Sequence, residues 1–303
     1  MTSSRGSGLP LPPLTTPVRM IGGRRFDFAR EIAIMAIVNR TPDSFFDQGR
    51  DFELDRAVES ACAAAESGAD WVDIGGVPFS PDTPPVSVAE ELDRVLPVIT
   101  ETARRSSVVI SVDTCRPEVA SRAIAAGASV INDTSGLHDQ ELAEVVASST
   151  ATLVVTHSRA APGQHLRRPQ YGDVVTEVRQ FLADRVNLAI GLGVPEDRIV
   201  IDPGHDLNKN TQHSLELTRR LSEIARLGLP LLAAVSNKDF IGEATGLDKP
   251  DRLAPSLAAA TICAWQGARI LRMHDAAASA AAATMIETIA GFTDPVYQRH
   301  NLD

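Results

Sequence analysis

Short apolar, β-branched runs alternate along this chain with longer, Ala-rich, helix-compatible stretches. Eight such runs occur, at 32–38, 71–74, 107–112, 128–131, 151–156, 198–201, 230–235 and 268–273. Each is followed by roughly ten to twenty residues of helical pattern, the signature of repeated βα units. Runs that are apolar at consecutive positions predict strands covered on both faces. Three of the helical stretches end in Gly-Ala just ahead of the next run, at Gly68-Ala69, Gly127-Ala128 and Gly267-Ala268. Glycine there predicts a left-handed C-cap, and its recurrence is a weak internal repeat. Ahead of the first run, 18–28 alternates around Gly22-Gly23, which predicts a two-residue hairpin able to plug the N-terminal end of a barrel. Eight βα units in about 260 residues predict a (β/α)8 TIM barrel; an open doubly wound sheet would carry a Gly-rich phosphate loop after its first strand, and none is present. Residues 1–17, rich in Ser, Gly, Pro and Thr, are expected to form a disordered leader, followed by a single barrel domain over 18–303.

Composition narrows the partners. The chain has 303 residues, 44% hydrophobic and 22% charged, with a net charge of −10. That balance suits a globular core and argues against a sequence-independent grip on nucleic acid or an anionic membrane, which both need a basic surface. An anionic ligand would have to be held by local cations. No run approaches the roughly 18 apolar residues of a membrane span. Cys62, Cys115 and Cys263 are scattered and form no CxxC, so reduced thiols and a cytoplasmic location are expected.

In such a barrel the chemistry sits at the C-terminal ends of the strands, and nearly every run ends in a functional group. The first leads into Asn39-Arg40-Thr41-Pro42-Asp43-Ser44-Phe45 and the second holds Asp73 before Gly75-Gly76. The third ends in Asp113-Thr114, the fourth in Asn132-Asp133 and the fifth in His157. The last three end in Asp202-Pro203-Gly204-His205, Ser236-Asn237-Lys238-Asp239 and Arg272-Met273-His274-Asp275. Singly, Asp113, Thr114, Asn132, Asp133 and Asp275 read as helix caps, Asp202-Pro203-Gly204 as a turn and Lys238 as a solvated loop residue. Caps alone do not call for carboxylates, an amide, Lys, Arg and His together. Carboxylates with an amide match a heterocycle edge of ring N–H, exocyclic NH2 and carbonyl, while the cations suit an oxyanion. A pterin diphosphate has both halves. Metal-dependent hydrolysis usually needs paired histidines after the first strand, where this chain has Asn39-Arg40-Thr41.

Over about residues 18–291 the chain resembles the dihydropteroate synthase family. The resemblance is carried by Ile34-Met35-Ala36-Ile37-Val38-Asn39-Arg40-Thr41-Pro42-Asp43-Ser44-Phe45, Asp73-Ile74-Gly75-Gly76, Ser111-Val112-Asp113-Thr114 and Ile131-Asn132-Asp133. It continues through Asp202-Pro203-Gly204, Lys238 with Phe240-Ile241-Gly242, and Arg272-Met273-His274-Asp275. The resemblance implies condensation of 6-hydroxymethyl-7,8-dihydropterin diphosphate with 4-aminobenzoate in folate biosynthesis. It assigns Asp113, Asn132, Asp202 and Lys238 to the pterin, Arg272 and His274 to the diphosphate, and Asn39 to Mg2+. It also implies a homodimer, for which the Ala-rich last helix, 276–289, is the candidate surface.

Three loops depart from the family pattern. Val77-Pro78-Phe79-Ser80-Pro81-Asp82 stands where the family has Glu-Ser-Thr-Arg-Pro-Gly, and Ser236-Asn237-Lys238-Asp239 where it has Ser-Arg-Lys-Ser. His205-Asp206-Leu207-Asn208-Lys209 replaces Ile-Gly-Phe-Gly-Lys. These changes fall on the acceptor and diphosphate side, as in the divergent second synthase copy that some bacteria carry. The resemblance therefore implies a synthase homologue with weak or absent standard activity. The alternatives are an active synthase in which Arg40, with Arg167 or Arg168, replaces the lost cations, and a noncatalytic pterin-binding or regulatory barrel. A corrinoid methyltransferase domain ranks last, because it has no need of the Thr41-Pro42-Asp43-Ser44-Phe45 loop.

Overall fold

The computed structural model describes residues 11–39, 54–78, 84–162, 164 and 166–301. A hairpin of β1 (Val18–Ile21) and β2 (Arg24–Asp27) precedes eight strands: β3 (Ala33–Asn39), β4 (Trp71–Gly75), β5 (Val109–Asp113), β6 (Val130–Asp133), β7 (Thr152–Thr156), β8 (Ile199–Asp202), β9 (Leu231–Ala233) and β10 (Ala268–Met273). These eight pair in parallel, each with the next and β10 with β3, and close a barrel. Around it run α1 (Leu54–Glu66), α2 (Val88–Arg105), α3 (Pro117–Ala126), α4 (Glu141–Ala147), α5 (Val174–Gly191), α6 (Thr211–Arg219), α7 (Leu221–Ala225), α8 (Asp239–Thr245), α9 (Leu253–Trp265) and α10 (Ala276–Ile289). The expected (β/α)8 architecture and hairpin are both present.

β6 starts two residues after its apolar run begins, because the first of those residues closes the preceding helix. Gly127 caps α3 at φ 118, and the Ala128 N–H then reaches back to the Ala123 carbonyl at 2.9 Å. β6 begins only at Val130. Gly68 and Gly267 take the same left-handed conformation, at φ 97 and 117, so the Gly-Ala repeat is a repeated cap.

Strand alternation splits the core into two apolar clusters. Residues such as Ile34, Val72, Ile110, Ile131 and Leu271 face the helices. Met35, Trp71, Val109, Val130, Val154, Val200, Leu232 and Ile270 fill the barrel interior together with Ile21, Phe26 and Phe28 from the hairpin segment. Gly22 and Gly23 turn the hairpin at φ 58 and 77, the pair of positive angles that a two-residue turn between twisted strands demands. Phe26 then stacks on Phe28 at 5.6 Å and meets Trp71 edge-on at 5.8 Å. The hairpin therefore stoppers the N-terminal end of the barrel.

Of the stretch expected as a leader, residues 1–10 lie outside the described residues. The rest lies against the same end of the barrel: Leu14 joins the interior cluster, and the Thr15 N–H donates to the Gly228 carbonyl at 2.8 Å. The Arg19 guanidinium, 3% exposed, ties this segment down by donating to the Thr16 and Glu196 carbonyls. Contacts with the barrel thus begin before residue 18. All three cysteines are free thiols, and burial pushes Cys115 and Cys263 up to about 12.

Candidate functional site

Two residues beyond the apolar floor, the inward positions of the strands turn polar. On β4 the inward set runs Trp71, Asp73, Gly75; on β5 Val109, Ser111, Asp113; on β6 Val130, Asn132; on β10 Ile270, Arg272. Their centre is Asp73, which is fully buried. It accepts from Ser111 Oγ at 2.6 Å, from Asn132 Nδ2 at 3.0 Å and from Arg272 Nε at 2.7 Å. Arg272 Nη2 also meets Asp113 Oδ2 at 3.4 Å, and Thr134 Oγ1 donates to Asp113 Oδ1 at 3.3 Å.

An ionised carboxylate accepts only, so Asp73 compels Asn132 to present its NH2 group inward. The Asn132 carbonyl oxygen is left buried and, among the described residues, without a hydrogen-bond partner. Beside it, burial first and Asp73 second push the Asp113 carboxyl up to about 7, against the pull of Arg272. Its side chain keeps 27% exposure, so a ligand at the mouth can reach it. For Arg272, burial opposes the charge, but the Asp73 and Asp113 carboxylates outweigh it and hold the pKa above the ordinary arginine value.

Asp202, at the end of β8, is also raised by burial, opposed by the Gly204 N–H that it accepts at 2.7 Å and by Lys238. Lys238 immediately precedes α8; burial lowers its pKa, Asp206 and Asp202 oppose that, and Arg272 adds to it. His274 Nδ1 and Ser236 Oγ share a hydrogen bond at 2.9 Å, and the His274 N–H donates to the same hydroxyl at 3.3 Å. The structure thus unites Asp113, Asn132 and Arg272 directly, places Asp202 and Lys238 within electrostatic reach of Arg272, and sets His274 on Ser236. Asn39, at the end of β3, lies beside Gly75, where a Cβ would stand 3.0 Å from its Oδ1.

The expected caps divide. Asp275 caps α10 by accepting the Ala278 N–H at 2.8 Å. Thr114 does not cap α3; it donates to the buried Glu91 at 2.6 Å, which also holds Arg116 at 2.8 Å. Asp133 closes a turn by accepting from Ser135 and Leu137. Arg40, the Thr41-Pro42-Asp43-Ser44-Phe45 loop and the departure at Phe79-Ser80-Pro81-Asp82 lie outside the described residues. Arg167 and Arg168 are exposed, the latter at φ 54.

The sequence reading passed over Lys209. Its ammonium is 7% exposed and donates to His157 Nδ1 at 2.8 Å and to the Gly204 and Leu207 carbonyls at 2.9 Å each. Burial lowers Lys209 well below the ordinary lysine value. Burial and Lys209 push His157 down to about 2 and His205 to about 3, so both rings are neutral.

The chain is similar to known proteins over most of its length. Residues 35–274 match the pterin binding enzyme family. The chain is 40% identical over 283 residues to inactive dihydropteroate synthase 2 of Mycobacterium leprae, covering 91% of this chain and 96% of that protein. It is 37% identical over 254 residues to the dihydropteroate synthase of Escherichia coli, covering 84% and 90%. Among solved structures, Xanthomonas albilineans dihydropteroate synthase with 4-aminobenzoic acid superposes with a TM-score of 0.83 at 40% identity, covering 91% of this chain and 98% of that one.

Two outcomes follow from the buried charges. Asp73→Ala strands the Ser111, Asn132 and Arg272 donors together and is expected to lower unfolding stability by about 3–5 kcal/mol in urea titrations. The second concerns pH. Because the folded Asp113 carboxyl is raised from 3.8 to about 7, the native state binds the extra proton between those values and stability falls as pH rises through them. Urea titrations in EDTA-containing buffer from pH 4 to pH 8 should show this decline, and Asp113→Asn should flatten it.

Proposed function

The chain belongs to the dihydropteroate synthase family of pterin binding enzymes, and from that premise we propose that it binds 6-hydroxymethyl-7,8-dihydropterin diphosphate but condenses it with 4-aminobenzoate weakly or not at all. The observation that carries the binding half is the amide of Asn132, oriented by Asp73 so that a buried acceptor lacks a partner beside Asp113. A pterin edge supplies the missing donors from its ring N–H and exocyclic NH2. Asp202 and Lys238 complete the set around the ring. Cleavage of the C–O bond leaves positive charge on the pterin methylene, which Asp113 and Asp202 stabilise from fixed positions. Charge growing on the diphosphate is met by His274 and by Arg272, whose five donors exceed those used on Asp73 and Asp113.

Weak turnover is supported on the acceptor side. Asn237 stands where the family pattern has a cation, and its backbone is held at φ 57 with the Asn237 and Lys238 carbonyls accepting from Arg252 at 3.2 and 3.3 Å. Asp239 adds an anion to the rim, with 79% of its side chain exposed. A lost charge-assisted hydrogen bond of about 1.5–3 kcal/mol is worth roughly one to two decades of affinity. The Mycobacterium leprae relative is itself named as inactive.

A Mg2+ ion fits this site as a companion of the substrate. Among the described residues no group of three or more His, Cys, Asp or Glu converges on a metal position, and Asn39 offers a single neutral oxygen. Mg2+ takes hard oxygen ligands and keeps several waters, so Asn39 would serve as one protein ligand beside the diphosphate. When bound, the ion would offset charge on the leaving diphosphate.

The proposed homodimer uses α9 and α10, which pack side by side. Ile262 and Trp265 on α9 are 49% and 45% exposed, and Met285 and Ile289 on α10 are 58% and 60% exposed. Large apolar side chains on two adjoining helices form a face suited to a second copy. No helix among the described residues is long and apolar enough to cross a membrane, which suits the proposed cytoplasmic setting.

Calorimetry with the pterin diphosphate and Mg2+, paired with an assay for 7,8-dihydropteroate, tests the reading. Tight binding with little product supports it; rapid turnover with 4-aminobenzoate overturns the activity half, and no binding overturns the whole. Sedimentation should give twice the chain mass, falling to one chain in Trp265→Glu/Met285→Glu. A wild-type monomer removes the dimer.

A further inference from the structure

We propose that Asp206 is a positioning residue for Lys238: from the loop after β8 it caps α8 across space and so fixes the lysine at the head of that helix. This rests on the reading of Lys238 as a pterin-facing residue. The first N–H groups of a helix have no acceptor within the helix. Lys238, the N-cap residue of α8, supplies none from its own side chain. Asp206 does so instead. Its Oδ2 accepts the Asp239 N–H at 2.6 Å and the Phe240 N–H at 3.4 Å.

The other end of the same carboxylate is anchored on α6. Asp206 Oδ1 accepts from Ser214 Oγ at 3.0 Å, while the Asp206 N–H donates back to that hydroxyl at 3.1 Å. Ser214 is fully buried, so this anchor cannot swing. The loop itself is clamped from both sides. Lys209 holds the Gly204 and Leu207 carbonyls, and Asn208 Oδ1 accepts from the Arg159 and Ala160 N–H groups at 2.7 and 2.9 Å. Tyr171 adds its hydroxyl to the Asn208 carbonyl at 3.0 Å.

Backbone angles give an independent reason to look to the side chains. Asp206 and Asn208 sit at φ 66 and 51, a region glycine enters without steric cost and other residues enter at some cost. A carboxylate and an amide stand there nonetheless, and each makes several loop-to-loop bonds that glycine lacks. Electrostatics run the same way. The charged groups around Lys238 include Asp206, Arg272, Asp202, Asp239 and Lys209, and Asp206 is the foremost carboxylate opposing the burial that lowers its pKa.

The test uses the full chain with D206G, D206N, K238A and D206G/K238A, read by amide hydrogen exchange and by calorimetry with 6-hydroxymethyl-7,8-dihydropterin diphosphate. The amide introduced by D206N retains an acceptor for the Asp239 N–H and a donor for Ser214, without the charge; D206G retains neither and leaves the backbone unstrained. Loss of the cap in D206G should speed exchange at 239–242 by about tenfold or more and weaken pterin binding by about tenfold, with barrel strands unaffected. D206N should stay within about threefold of wild type in both readings, and D206G/K238A should bind no more weakly than K238A. Unchanged exchange at 239–242 in D206G overturns the proposal, as does an additive loss in the double variant. A wild-type chain that binds no pterin instead overturns the pterin reading of the site, and the exchange measurement then decides the capping role alone.

Discussion

A carboxylate sealed inside a parallel barrel must find its counter-charges on other strands, and the candidate site is organised by how Asp73 does so. An unpaired charge at that depth would cost several kcal/mol. Ser111, Asn132 and Arg272 reach it from β5, β6 and β10, separated from it in sequence by 38, 59 and 199 residues. Satisfying one oxygen pair therefore sets the rotamer of an arginine, the face of an amide and the local environment of a second carboxylate. Asp113 owes its raised pKa partly to this neighbour. The side chains at the floor of the candidate site are thus oriented before any ligand arrives.

The barrel was legible because buried parallel strands leave continuous apolar runs, and because Gly-Ala at the helix ends marks a cap that only a positive φ satisfies. Asp113, Asn132 and Asp202 at strand ends, and Lys238 in the loop after β9, stood out because polar groups interrupt or follow those runs. Asp73 was visible in its motif but received no role, since its importance depends on which strand position faces inward and on partners from three other strands. Arg272 was expected at the diphosphate; its first commitment is to Asp73 and Asp113, which cross-strand register alone reveals. Lys209 was hidden for a related reason. A lysine in a polar loop looks solvated, and only tertiary packing against His157 and two carbonyls buries it.

The departures after β8 and β9 change character once the side chains are in place. Read as sequence, Asp206 and Asn208 are losses of glycine. In the folded chain they adopt the left-handed backbone and add bonds that join the loops after β7 and β8 to the start of α8. Asn237 also takes a positive φ while Arg252 holds the carbonyls around it. The rim of this chain is held by short cross-links. These cross-links lie at the shallow end of the site and leave the deep cluster around Asp73 untouched.

The hairpin has a kinetic consequence. With Phe26 and Phe28 wedged against Trp71 at the N-terminal end, the barrel is a vessel with one opening, and everything that enters has to leave by the same way. The group that seats against Asp73's ring of partners lies beneath whatever occupies the rim. Traffic is therefore stacked: whatever seats deepest goes in first and comes out last, and any molecule lodged among the rim loops acts as a cork upon it.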